Sequence, residues 1–260
     1  MSAQTDFRDT RFDYYWCLLA WLVTWGAVLH LKPGAREVRS QYRLNFWHAV
    51  VSSIIALLCM YDPATVPESI TTSCSQAYFI TDLINMIMND YVYKVGGYHK
   101  KTARRVEYCH HILCIACCFT VELAHETLCD FPLEVWGVAP SGKQRNPTVR
   151  IMMAELSTPF LMRWRMTGET HDLMFYAFVA MFLASRVVYQ CFMLMPYFCM
   201  YCNTWVGYAF ALPYIGLQIM FAYFVLRKGY AIFRGKKLWD ANEENRGFGS
   251  VSESDNKKTK

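Results

Sequence analysis

The sequence predicts an all-α fold, a polytopic transmembrane helical bundle of about seven spans, and three observations carry the prediction. Apolar residues make up 54% of the 260-residue chain and aromatics 16%, more than a soluble core of that size can bury. They fall into recurrent runs close to the ~20 residues a helix needs to cross a hydrocarbon core, where backbone N–H and C=O groups must be satisfied internally. Lys and Arg gather at alternate ends of these runs, as cytosolic loops require.

The runs lie near 13–31, 46–60, 77–93, 108–124, 150–163, 172–200 and 205–226. The second and fifth are short; if one is re-entrant, the count is six. Lys32, Arg36, Arg39 and Arg43 follow the first run, the 61–76 stretch has no Lys or Arg, and Lys94, Lys100, Lys101, Arg104 and Arg105 follow the third. Arg163 and Arg165 mark another cytosolic turn, and Arg227, Lys228, Arg234, Lys236 and Lys237 follow the last run. Seven spans then put the N-terminus in the lumen or outside and the C-terminus in the cytosol. The 125–149 loop, with Lys143 and Arg145, fits this alternation least well.

The formal net charge of +5 is read as this topology signal, with some attraction to anionic headgroups. No basic run sits beside exposed aromatics, so no nucleic-acid partner is expected; the partners expected are membrane lipids. The first residues lack a basic n-region and no small-residue cleavage site follows, so the first run is expected to be a retained span. From about Trp239 the chain is polar and too poor in apolar residues to offset the entropy of ordering. Lys257 and Lys258 in this tail resemble a dilysine retrieval signal, read by a retrieval coat and implying the endoplasmic reticulum.

Most of the eleven cysteines lie in or beside apolar runs, where Cys behaves as a small hydrophobe. Cys74, Cys129 and Cys202 fall towards the lumenal side, where one bridge can form. Cys114-x-x-Cys117 and Cys199-x-x-Cys202 have a metal or redox spacing, but neither has a second such pair at finger distance, so no metal is expected.

Ionisable groups inside spans are costly and tend to be paired and functional. Asp82, Asn85 and Asn89 are spaced to share one helical face, which is expected to point into the bundle. On the fourth span His111, Cys114, Cys118, Glu122 and His125 form a stripe, while the adjacent His110 points about 100° away. Glu155 lies four residues before Pro159, which cannot donate back to the Glu155 carbonyl, so a kink with free acceptors is expected beside a carboxylate. Arg186 and Gln190 share a face of the sixth span. Together these groups are read as a polar cavity. His110 and His111 are the catalytic candidates, a neutral imidazole acting as base or nucleophile with a carboxylate fixing its tautomer. Asp82, Asn85, Glu122, His125, Glu155 and Arg186 line the cavity, Arg186 being suited to an anionic head group or phosphate. The competing reading is that the same groups pair only to orient the helices. The remaining histidines, including His30, His48, His99 and His171, are read as ordinary interface or loop residues.

Three runs resemble successive signatures of the TLC domain family: Glu107-Tyr108-Cys109-His110-His111-Ile112-Leu113, Ala154-Glu155-Leu156-Ser157-Thr158-Pro159-Phe160-Leu161 followed by Arg163-Trp164, and Phe182-Leu183-Ala184-Ser185-Arg186. Tyr78-Phe79-Ile80-Thr81-Asp82-Leu83 resembles its third-span motif. The resemblance covers 40–230 and divides the chain into three parts. These are 1–39, with a lumenal N-terminus, the first span and the start of a cytosolic loop; 40–230, a TLC domain; and 231–260, a cytosolic polar tail. It implies a multi-pass endoplasmic reticulum protein with a lipid-sized cavity, acting in membrane lipid homeostasis. The family includes ceramide synthases, whose paired histidine belongs to an acyl-CoA-dependent N-acyltransferase site. The synthase pattern continues to a His-Asp and a further Asp before its Glu. This chain instead reads Ala154-Glu155-Leu156-Ser157-Thr158-Pro159, and His171-Asp172 comes too late, so it looks like the non-synthase, TLC domain-containing branch. An acyltransferase using acyl-CoA as co-substrate is the alternative, with no other cofactor implied; a non-enzymatic helper or cargo receptor for secretory proteins is the third reading.

Other classes fit less well. A di-iron desaturase needs more clustered histidines than the seven here. The last span has no lysine for a retinal Schiff base, and no inverted repeat marks a transporter.

Overall fold

The computed structural model describes residues 8–30, 38–61, 66, 68–93, 101–128, 147–167, 172–201 and 204–234, the side chains of 8–13, 38–40, 68, 101–103, 118–128, 147–148, 197, 201, 204 and 206 excepted. Among these residues the chain is entirely helical and forms seven continuous rods. The first is α1 (Arg8–His30), the second α2 (Val38–Tyr61), and the third α3 (Glu68–Ile87), which runs on into a wide π turn at Met88–Val92. The fourth is α4 (Lys101–Leu128). The fifth is broken: α5 (Pro147–Ile151), a tight 3₁₀ stretch Met152–Ser157, then α6 (Thr158–Met166). The sixth is α7 (Asp172–Phe182), a long π segment Leu183–Leu194 and α8 (Met195–Tyr201), and the seventh is α9 (Thr204–Phe233).

Three helical stretches among the described residues are long and apolar enough to cross a membrane: Gln41–Tyr61, Asp172–Met200 and Gly207–Phe233. Only 11% of the apolar window in the last is buried, so α9 turns most of its surface outwards, with Leu212, Ile219, Tyr223 and Phe224 exposed. In α1 the same outward face is made by Tyr15, Trp16, Leu19 and Val23. Apolar surface on this scale in water would be strongly unfavourable; in lipid it costs nothing. The fifth expected span is interrupted, and α1 and α4 both carry charged first turns.

Two boundaries differ from the sequence expectation, each for a physical reason. The second run is not short, because α2 continues back through Arg43 and Gln41, whose polarity masks helix in a hydropathy profile. The third rod starts at Glu68, not 77, so most of the expected lumenal connection is helix. Thr71, Thr72, Ser73, Ser75 and Gln76 there are fully buried. Small hydroxyl residues let a neighbouring backbone come close, and they can satisfy themselves within their own helix, as Ser73 Oγ does on the Ile70 carbonyl at 3.1 Å. α1 packs along α3, and Trp25 Nε1 donates to the Cys74 carbonyl at 3.0 Å. Cys74 is a buried free thiol in the cluster of Trp25, Leu29, Leu44 and Phe79, not a surface thiol poised for a bridge. Cys129 and Cys202 lie outside the described residues, as do Lys143, Arg145, His99, His171, Lys257 and Lys258.

Candidate functional site

Proline creates the first part of the site. Pro159 has no N–H for the Glu155 carbonyl, which takes the Thr158 N–H instead, and the preceding residues tighten into the 3₁₀ stretch. The carbonyl left to a distant side chain beside the carboxylate is therefore that of Ala154, one residue earlier than the sequence suggests. Arg186 Nε donates to it at 3.0 Å, and Gln190 Nε2 donates to the Ile151 carbonyl at 2.6 Å. Arg186 Nη2 also reaches Thr158 Oγ1 at 3.1 Å and Glu155 Oε1 at 3.5 Å. Arg186 and Gln190 come from the π segment of the sixth rod, whose wider turns still keep an i, i+4 pair on one face. Tyr214 of α9 closes this layer by donating to Gln190 Oε1.

The histidines separate sharply. His111 is buried, and its Nδ1 faces the Glu107 carbonyl at 2.9 Å while its Nε2 faces Asp82 Oδ2 at 2.9 Å. A carbonyl only accepts, so Nδ1 carries a proton. Nε2 then either carries a second proton towards a carboxylate or accepts one from a carboxylic acid; the pair has no net charge in both forms, which suits its depth. Gln41 Nε2 donates to the same carboxylate oxygen at 3.3 Å. Asp82, Asn85 and Asn89 are all buried on the inward face that their spacing predicts, with Asn89 Nδ2 donating to Asn85 Oδ1 at 3.1 Å.

His110 turns the other way, edge-on to Phe79 and Phe221, with Cys114 Sγ 3.7 Å from its Nδ1. It lines a cavity with an empty volume of ≈ 740 Å³, its open side included, bounded by the third, fourth, fifth, sixth and seventh rods. Phe79, Leu113, Met152, Met195, Phe198 and Phe210 make apolar walls; His110, Glu155, Arg186, Tyr214 and Gln218 supply the polar groups. Thus the structure brings His110, Glu155 and Arg186 together at the cavity and commits His111 with Asp82 to a closed pair behind it. The side chains of Glu122 and His125 lie outside the described residues. Cys114 and Cys117 line the same cavity.

Three groups escaped the sequence reading. Gln218 and Tyr214 sit in a helix whose mean composition reads as plain lipid-facing span; Gln218, a lone amide mid-span, was the available signal. His48, read as an interface residue, is wholly buried, stacked on Tyr78 with ring centroids 3.7 Å apart and within 3.3 Å of Ser75 Oγ. It lies seven residues beyond Gln41 in α2, as Ser75 lies seven before Asp82 in α3, so the two helices meet along an antiparallel polar seam.

No protein-family model matches the chain, no curated protein matches it, and no solved structure matches its fold.

Proposed function

We propose that this chain is a multi-pass endoplasmic reticulum membrane protein of the TLC type, with seven spans, that binds a membrane lipid in the cavity and acts in membrane lipid homeostasis. The observation that carries this reading is the cavity itself. Its walls are mostly aromatic and aliphatic, suited to an acyl chain, and the half-buried Arg186–Glu155 pair and His110 at its edge are suited to a head group. The seven rods support the span count, and the positive-inside pattern supports a cytosolic C-terminus.

A second reading is favoured by one observation: His110, unlike His111, has no carboxylate partner among the described residues and lines the cavity. In an acyl-CoA-dependent acyltransferase it is the base that takes a proton from an acceptor hydroxyl or amine as that atom attacks the thioester carbonyl, with CoA thiolate leaving. Lipidomics of a deletion strain complemented with wild type or His110→Ala tests both. A lipid change on deletion, rescued by wild type, is expected; unchanged lipids on deletion sink the proposal. Rescue by wild type but not by His110→Ala, with labelled acyl transfer by purified protein, selects the acyltransferase.

A further inference from the structure

Resting on the lipid-binding reading above, we infer that the cavity selects a lipid whose head is uncharged and carries both a hydroxyl donor and an oxygen acceptor, in preference to an anionic lipid. This differs from the anionic head that an intramembrane arginine suggests from sequence, and the reason is charge balance. Arg186 is already matched by Glu155 at 3.5 Å, and both side chains are only 12% exposed. No other Lys or Arg is among the described residues that line the cavity. A phosphate or carboxylate brought to Arg186 would therefore sit beside the Glu155 carboxylate in a low-dielectric site, leaving one negative charge in excess.

The hydrogen-bond inventory points the same way. The Nε and Nη2 groups of Arg186 are held by Ala154, Thr158 and Glu155, while its Nη1 has no partner among the described residues. That leaves a donor for a carbonyl or hydroxyl oxygen. Gln218, 1% exposed, is among the residues lining the cavity, and its Oε1 is enclosed with no hydrogen-bond partner among the described residues. A buried amide oxygen requires a donor, which an ionised carboxylate cannot supply. The Tyr214 hydroxyl is committed to Gln190 and does not compete. A glycerol-type head, with hydroxyl and ester oxygens, meets both needs without altering the charge.

The test uses the full chain purified in nanodiscs and a fluorescent monoacylglycerol probe, displaced by monooleoylglycerol, oleate or oleoyl lysophosphatidate of the same chain length. Monooleoylglycerol is expected to displace the probe at a concentration at least about tenfold lower than either anion. Equal or better displacement by oleate or lysophosphatidate overturns the head-group inference and leaves the lipid-binding reading standing. Absence of saturable binding by both the monoacylglycerol probe and a fluorescent fatty acid overturns the lipid-binding reading itself. Glu155→Gln is expected to shift the preference towards the anions. Gln218→Leu is expected to weaken monooleoylglycerol about tenfold and oleate little, an unchanged thermal unfolding midpoint serving as the check that the variant is folded. A parallel loss for both ligands in a well-folded Gln218→Leu protein would remove Gln218 from head-group recognition.

Discussion

His111 has oxygen on both ring nitrogens, the Glu107 carbonyl at 2.9 Å and Asp82 at 2.9 Å, whereas His110 has the Cys114 sulfur at 3.7 Å from its Nδ1. Neighbours in sequence, they differ because ~100° of helical rotation aims one between α3 and α4 and the other at the cavity. The consequence for substitution is asymmetric. His111→Leu strands the Asp82 carboxylate in the bundle and is expected to cost about 3–5 kcal/mol, as breaking a buried pair does. His110→Leu trades one ring for a side chain of similar bulk among Phe79 and Phe221 and is expected to cost under about 1.5 kcal/mol. Thermal unfolding of the two variants in detergent checks the order; a reversed order would mean that His110 holds the fold. Helical spacing in the sequence located both rings correctly relative to each other. It did not show which one meets a carboxylate, because Asp82 is on a different helix.

At the level of elements, the π turn that ends α3 and the first turns of α4 are joined by Arg104. Its Nε and Nη2 donate to the two Asp90 oxygens at 2.8 and 3.0 Å, its Nη1 donates to Glu107 at 3.0 Å, and Tyr108 Oη donates to Asp90 at 2.8 Å. Burial works against the Arg104 cation, and the hydrogen bonds to Asp90 and Glu107 more than compensate, raising its pKa above the ordinary arginine range. Asp90 accepts three of the four bonds, so Asp90→Ala is expected to cost about 3 kcal/mol and Glu107→Ala about 1 kcal/mol. Equal unfolding midpoints for the two would show that the clamp is not the fastening. Arg104 and Arg105 read in the sequence as loop charge marking a membrane face. The widening of the helix at Met88–Val92, which presents Asp90 to Arg104, left no such mark, since π turns arise from packing rather than from residue type. The broken fifth rod was legible because Pro159 dictates it; the long π segment at Leu183–Leu194 was not.

For the whole molecule, the orientation proposed from the alternation of basic and uncharged connections is one that reporters can read. A glycosylation or cysteine tag inserted at 62–65 is expected to report the lumen or exterior, and one placed after Arg234 the cytosol, in intact cells; both on one side of the membrane would rule out seven spans. The seven rods correspond to the seven apolar runs; in the proposed membrane setting, hydrocarbon leaves the backbone no partner but itself and each run has to close its own hydrogen bonds. The sequence likewise showed the polar groups of the third to sixth rods, since periodicity is a local property, but not those of α2 and α9. Tertiary structure alone decided how the stripes pair: Asp82 with His111 across α3 and α4, Glu155 with Arg186 across the fifth and sixth rods, and His48 with Ser75 along the α2–α3 seam. Partner choice depends on which helices pack and in what register, and burial of a lone polar group is too costly for those choices to be arbitrary. The paired residues stand between 27 and 31 positions apart, so no local pattern contains both members.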